Sequence, residues 1–314
     1  MQGKDKTRLI VNPYAGVDWS AIHRCKANFH AHTTRSDGRM TPAEVIDAYC
    51  DAGYAILAIT EHDHYSEDMT WPWTRWNRDP EEMGMIAIPG NELFQIHDVG
   101  SYWNDYMGSP SGGDEDEVIE GLQEVAARGG LGMFFHPGRN GRRSAWYASL
   151  YRRFDVLVGV EVFNQGDRHP DDRRHWDRLL SQLMPDRPVW GYSNDDSHGR
   201  EHLFGNYQEM LMNTLTRTEL IHCMQRGRFT FSWEAGCSGL ARAPRIDSID
   251  VDENQATITL HSSGFDFVEW ITGQGRIVGR DLAFCYADFD GPFVRVRLLG
   301  RSGETLTQPF GFST

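Results

Sequence analysis

From residue 25 to 235, short apolar blocks alternate with longer amphipathic stretches; beyond residue 244, apolar and polar residues alternate one by one. The first regime predicts strand–helix units. A strand buried on both faces reads as a continuous apolar run, and its covering helix as a stripe of period 3.6. "TPAEVIDAYCDAGY" is such a helix: Thr41 caps its first turn, Pro42 suits the first helical position, Glu44 completes a capping box and Gly53 supplies the left-handed stop. Strands are expected at 55–60 (AILAIT), 85–90 (MIAIPG), 131–135 (LGMFF), 156–163 (VLVGVEVF) and 189–193 (VWGYS). Helices are expected over "DEDEVIEGLQEVAARGG", "DDRRHWDRLLSQLMP" and "TRTELIHCMQRGR", the last leading into "FTFSW". The second regime, from "RIDSIDVD" onward, carries period-two strands separated by turn residues such as Gly-Gln-Gly and Asp-Gly-Pro. That pattern predicts a small all-β sandwich. The expected division is an α/β unit over residues 1–243 and a sandwich over 244–314.

The unusual residues fall at the ends of the predicted strands. His30 and His32 close the first one, in "NFHAHTTRSDG". "EHDH" (61–64), "GNE" with Glu92, "HPG" with His136 and "NDDSH" (194–198) each follow a later strand, and Glu161 lies near the end of another. In a ring of parallel strands these ends converge on one face, where ligands from distant positions meet. Neutral imidazole and carboxylate together suit zinc, manganese or iron. A lone His-x-His is a weak signal, since alternate strand residues share a face by geometry alone. Five strand-terminal motifs of matching chemistry in one alternating unit are a strong one.

Composition narrows the function classes. The formal net charge of −14 over 314 residues disfavours nucleic acid and anionic membrane as partners, but does not exclude a small-molecule, anionic substrate, because metal ions can invert the local field. Lysine occurs only at positions 4, 6 and 26, so a Schiff-base lysine or a carbamylated lysine bridging two metals has almost no candidate. The five cysteines form no C-x-x-C pair, and no apolar run approaches the ~20 residues of a membrane helix. A cytoplasmic protein is expected; nothing in the sequence fixes its oligomeric state.

The order H-x-H…SDG, T-E-H, G-x-E, HP and S-x-D-x-H resembles the polymerase and histidinol phosphatase (PHP) superfamily of metal-dependent hydrolases, its carbaryl-hydrolase-like branch included. The resemblance covers residues 25–235 and implies a distorted (β/α)7 barrel holding two or three divalent ions. Carried over by position, it implies one metal on His30, His32, Glu92 and Asp196. A second would share Glu92 as a bridge and take His136 and His97. A third would take Asp37, His62 and His198. Asp195, the spare carboxylate of "NDDSH", is expected either to accept a hydrogen bond from a ligand histidine or to handle a proton. Glu161 is expected to be a supporting carboxylate.

Such a cluster implies hydrolysis by an activated water, with an arginine stabilising the developing charge. "HPGRNGRR" offers Arg139, Arg142 and Arg143 for this, and for gripping substrate. Two aromatic insertions, with Trp71, Trp73 and Trp76 in one and Tyr102, Trp103 and Tyr106 in the other, read equally as walls for the substrate's organic body or as packing. Trp71 and Trp103 are the candidate contacts. The leading function is a phosphoesterase acting on a small organic phosphate. The runner-up cuts a carbon ester, carbamate or amide, and a non-catalytic binding protein stands third.

Overall fold

The structure, a computed structural model, describes residues 7–65, 68–108, 114–235 and 242–313; Cys237 lies outside them. In chain order its strands are β1 (Arg8–Val11), β2 (His23–Asn28), β3 (Ile56–Ala58), β4 (Ile86–Ile88), β5 (Gly90–Leu93), β6 (Val99–Tyr102), β7 (Leu131–Phe134), β8 (Leu157–Asn164), β9 (Trp190–Asn194), β10 (Asn206–Met212) and β11 (Phe229–Glu234). The later strands are β12 (Arg245–Asp252), β13 (Thr257–Ser263), β14 (Phe267–Thr272), β15 (Arg276–Gly279), β16 (Ala283–Cys285), β17 (Phe293–Gly300), β18 (Gly303–Leu306) and β19 (Phe310–Ser313). Helices α1 (Pro42–Asp51), α2 (Glu115–Ala127), α3 (Ser144–Arg153), α4 (Asp171–Leu183) and α5 (Arg217–Arg226) are interleaved. The fold is thus mixed α/β. No helix among the described residues is long and apolar enough to cross a membrane.

Local signals account for most elements. Thr41 caps α1 and Glu44 reaches back to the Thr41 N–H, the reciprocal box expected. Asp114 and Glu117 do the same for α2. Thr216 caps α5, which stops at Gly227 with φ 67°. Helix α3, beginning without a side-chain cap just after the arginine-rich loop, is an element the apolar pattern did not single out.

The parallel pairs are β2–β3, β3–β4, β7–β8 and β8–β9. The series is interrupted after β4. At Pro89 the chain leaves the first sheet, and β5 and β6 form an antiparallel hairpin that joins β7. The result is two sheets rather than one ring: β5-β6-β7-β8-β9, and an eleven-stranded sheet containing β10-β2-β3-β4. Parallel bridges Ala31–Ser197 and His62–Glu92 tie the two together at the strand ends.

The C-terminal strands are continuous with the first sheet. β18 pairs with β11, and β17 pairs with β18, β14 and β19. The sheet therefore crosses residue 243 without a break. Its far edge is β1, which pairs with β19 and was not foreseen from four short residues of "RLIV". The three-stranded sheet β12-β13-β16 faces this region across a core of Ile249, Leu260, Trp270, Val296 and Phe312. Separate apolar clusters lie under α2–α4 and under α1.

Candidate metal centre

His30 and His32 follow β2 in extended chain, so both imidazoles project to one side. Both are almost wholly buried. The His32 N–H donates to the Ser197 carbonyl at 2.9 Å, which binds this segment to the loop carrying Asp196 and His198. On the other side, the Glu92 N–H donates to Glu61 and the Asp63 N–H to Glu92, so backbone bonds set Glu92 beside His62. Gly38 explains the "SDG" turn. A Cβ there would lie 2.7 Å from the His32 carbonyl carbon, so only glycine lets the chain fold Asp37 back over the histidines.

Four donor atoms converge at the centre. His30 Nε2 lies 3.0 Å from His32 Nε2, 3.3 Å from Glu92 Oε2 and 3.1 Å from Asp196 Oδ1. His32 Nε2 lies 3.2 Å from each of the same two carboxylate oxygens. Behind them the buried Glu161 accepts from His30 Nδ1 at 2.9 Å, which puts the proton on Nδ1 and turns the Nε2 lone pair to the centre. Glu161 also accepts from the His136 N–H and the Asn164 and Asn194 side-chain amides.

Two further groups adjoin this quartet. Asp37 Oδ2 is 3.5 Å from His62 Nε2, and its Oδ1 is 3.3 Å from His198 Nε2. The rings of His62 and His198 flank His32, each 4.4 Å from it. On the opposite side His136 Nε2 is 3.5 Å from Glu92 Oε1, and its Nδ1 is 3.5 Å from Asp98 Oδ2. Glu92 thus offers one oxygen to each side. Two of these residues hold unusual backbone: His136 at φ 25° and Asp196 at φ 45°, conformations that persist only when surroundings enforce them.

This arrangement fits cations. Separations of 3.0–3.3 Å are those of neighbouring donors around an ion with bonds of about 2.0–2.2 Å. Among the described residues, Glu92 Oε1, His32 Nδ1, His62 Nδ1 and His136 Nδ1 are buried without a hydrogen-bond partner, although such groups are normally satisfied. The electrostatics point the same way. Burial opposes charge on every group, yet the histidines hold Glu92 and Asp196 well below the carboxylate range. Burial likewise opposes charge on the imidazoles, but Asp37 and Glu92 lift His62 to about 10, and Glu92, Asp98 and Asp196 lift His136 to about 9. With the imidazoles neutral, as ligands must be, the carboxylates would leave negative charge that divalent ions would balance.

Several expected residues lie elsewhere. His97 does not join the cluster. It adopts φ 67°, its Nε2 lies 3.1 Å from Arg142, and its ring meets Trp146. The left-handed turn through His97 and Asp98 brings the next residue inward instead, so Asp98 replaces His97 beside His136. Asp195 touches no cluster histidine. It accepts from the Tyr49 hydroxyl and from the Phe204 and Asn206 N–H groups, each at 2.8 Å, and burial pushes it up to about 6. These bonds tie Asp195 to α1 and to the segment leading into β10.

A cavity of about 420 Å³ opens over the cluster, lined by Asp37, His62, Glu92, His136, Asp196 and His198 together with Arg139 and Arg168. Arg142 and Arg143 line a different depression, with Asp171 and Arg174. Trp71 and Trp103 line another cavity, with Arg75, Arg128 and Arg217, while Trp73 is fully buried. Among the described residues, Trp71, Trp73, Trp76, Tyr102, Trp103 and Tyr106 therefore do not line the cluster cavity. Arg168, Gln165, Tyr65, Phe94 and His202 do, none of which the motifs announced, together with His64 of "EHDH". "EHDHY" carried a clue for two of them, since His64 and Tyr65 directly follow His62.

No family model and no curated protein matches the chain. Among solved structures, a two-domain protein from Bacteroides vulgatus containing a predicted PHP-like metal-dependent phosphoesterase matches 98% of this chain and 91% of its own, with 15% identity and a TM-score of 0.58. An amidohydrolase from Chromobacterium violaceum matches 63% of this chain and 96% of its own, at 15% identity and a TM-score of 0.43. The lesion-specific endonuclease EndoQ of Pyrococcus furiosus matches 64% of this chain and 56% of its own, at 12% identity and a TM-score of 0.37. Over nearly its whole length, the chain shares the fold of a two-domain protein built on a PHP-like unit, the superfamily its motifs resemble.

Proposed function

We propose that this protein is a metal-dependent hydrolase, and specifically a phosphoesterase acting on a small organic phosphate. His30, His32, Glu92 and Asp196 would hold one ion. Glu92, His136 and Asp98 would hold a second, and Asp37, His62 and His198 a third. When bound, zinc, manganese or iron ions supply Lewis acidity and activate water at neutral pH. Glu161 fixes the His30 tautomer, and Glu92 can serve two ions through its two oxygens.

The observation that carries the phosphate reading is the pair of arginines. Arg139 and Arg168 share the cavity with the cluster, and neither makes an ion pair with a carboxylate among the described residues. Gln165 accepts from Arg168 at 2.6 Å and steadies its guanidinium. Two free forks at the rim suit a doubly charged phosphate, whose oxygens they can meet in bidentate fashion. Together with metal charge they offset the acidity of the whole chain and draw in an anion. The cavity is of ordinary small-ligand size.

The same reading takes the parallel strands as a distorted PHP-type (β/α)7 barrel opened by the β5–β6 hairpin, and the facing C-terminal sheets as an accessory sandwich. A cytoplasmic setting belongs to it, supported by Cys25, Cys50, Cys223 and Cys285, all free thiols. The competing reading, hydrolysis of a carbon ester, carbamate or amide, draws on the aromatic rings at the cavity mouth. Metal-loaded protein assayed against phosphomonoesters, phosphodiesters, carboxyl esters and carbamates separates the two. Phosphate release from monoesters is expected; turnover of the carbon substrates alone overturns the phosphoesterase assignment.

A further inference from the structure

One wall of the cluster cavity has no part in holding ions or phosphate. His64, Tyr65 and Phe94 form it. The His64 ring lies 4.1 Å from Tyr65 and 4.6 Å from Phe94, and Phe94 meets the edge of His62 at 5.4 Å. Tyr65 is 61% exposed and Phe94 36%, so large rings stand in solvent beside a buried polar centre. A single exposed ring is unremarkable; three linked through His64, on the wall of a cavity with charged partners, form a surface. Their positions are fixed by backbone bonds. The Tyr65 N–H donates to the His62 carbonyl, and the Phe94 N–H to Asp63 Oδ1. The rings come from the segments after β3 and β5, the guanidinia from those after β7 and β8. A substrate with its phosphate over the ions and between the arginines would extend its other end toward the rings.

We propose that His64, Tyr65 and Phe94 form a subsite for a planar aromatic leaving group, so that the preferred substrates are phosphate monoesters of ring-bearing alcohols or phenols. This rests on the phosphoesterase reading and names the part of the substrate that reading leaves open. The reaction remains hydrolysis: water adds to phosphorus, the ester P–O bond breaks, and the ring-bearing alcohol leaves with a proton. The cavity volume of about 420 Å³ accommodates a phosphate with one or two rings.

Benzyl phosphate and cyclohexylmethyl phosphate test this directly, because both release a primary alcohol of similar size and only one is flat. The metal-loaded wild type should show a KM about fivefold lower for benzyl phosphate, the factor expected from one aromatic contact. Phe94→Leu and Tyr65→Leu keep apolar bulk and should bring that ratio close to one. Calorimetric binding of benzylphosphonate and cyclohexylmethylphosphonate gives the same comparison without turnover. Equal KM values in the wild type, or a preference that survives both substitutions, would overturn the ring subsite and leave the phosphoesterase standing. Hydrolysis of neither ester would overturn the phosphoesterase instead. The phosphonate pair would then decide the subsite, with equal affinities counting against it.

Discussion

Arginines and aromatic rings line both the cavity over the metal cluster and the one bordered by Trp71 and Trp103, but their charges are settled differently. In the Trp cavity, Arg75 pairs with Asp68 and Arg128 with Asp105, and Arg217 lies over the Trp103 ring at 4.7 Å. Over the cluster, Arg139 and Arg168 face the cavity without ion pairs among the described residues, and the carboxylates are turned toward the histidines. The first arrangement pairs two of its arginines with carboxylates and stacks the third on a ring. The second leaves positive charge at the rim and negative charge beneath it, the layout of a site that takes cations and then an anion. Composition alone does not separate the two; pairing does.

The comparison breaks most sharply at the centre. Asp196→Ala should lower phosphatase turnover by about a thousandfold or more, as loss of a group acting within a coupled unit does, while circular dichroism and metal-free stability stay near wild type. Trp71→Ala, on the other cavity, should change turnover by no more than about twofold, or ~0.4 kcal/mol of barrier. An Asp196→Ala protein retaining wild-type activity would remove the centre from the chemistry.

Arginine substitutions come next. Arg139→Ala and Arg168→Ala should each reduce kcat/KM for a phosphomonoester by about 10- to 100-fold, the range for a charged hydrogen bond to a charged group. Arg128→Ala should have no such effect. Equal losses from Arg128→Ala and Arg168→Ala in steady-state assays would erase the distinction between the cavities.

Glu161→Gln probes the support behind His30. Loss of its charge should weaken metal affinity by about 10- to 100-fold, measured by competition with a chelator, since partners of ligand histidines act on that scale. Unchanged affinity would make Glu161 a mere space-filler.

The smallest effect concerns Asp195. Burial raises its pKa from 3.8 to about 6, so its protonated form is favoured in the folded chain. The sign follows: stability from this group is full below the ordinary carboxylate value and is lost as pH rises through about 6. Asp195→Asn should flatten that part of the stability profile in denaturant titrations between pH 4 and 6, without moving the metal affinity as Asp196→Ala does.

Much of this was legible in the sequence because backbone geometry does the reading. His30 and His32 share a face in any extended segment, and a β-branched apolar run as short as "VLVGVEVF" favours a buried strand. The capping box at Thr41 marked a helix start by local chemistry alone. What stayed hidden depends on distant or unusual backbone. Asp98 enters through two successive left-handed residues, which "IHDVG" does not announce. The roles of Arg168 and Phe94 depend on which loops meet across the cavity. The pairing of β1 with β19 joins residues 300 positions apart, beyond the reach of any periodicity. The aromatic insertions stayed ambiguous because ring content looks alike in a wall and in a core.

The ladder between Phe231–Glu234 and Gly303–Leu306 carries a practical lesson for anyone hoping to isolate residues 1–243. Cutting the chain after residue 243 would leave a row of bare amides and carbonyls along a flat, apolar strand. That is an open template for other copies, so the shortened protein should gather into aggregates before it could be assayed.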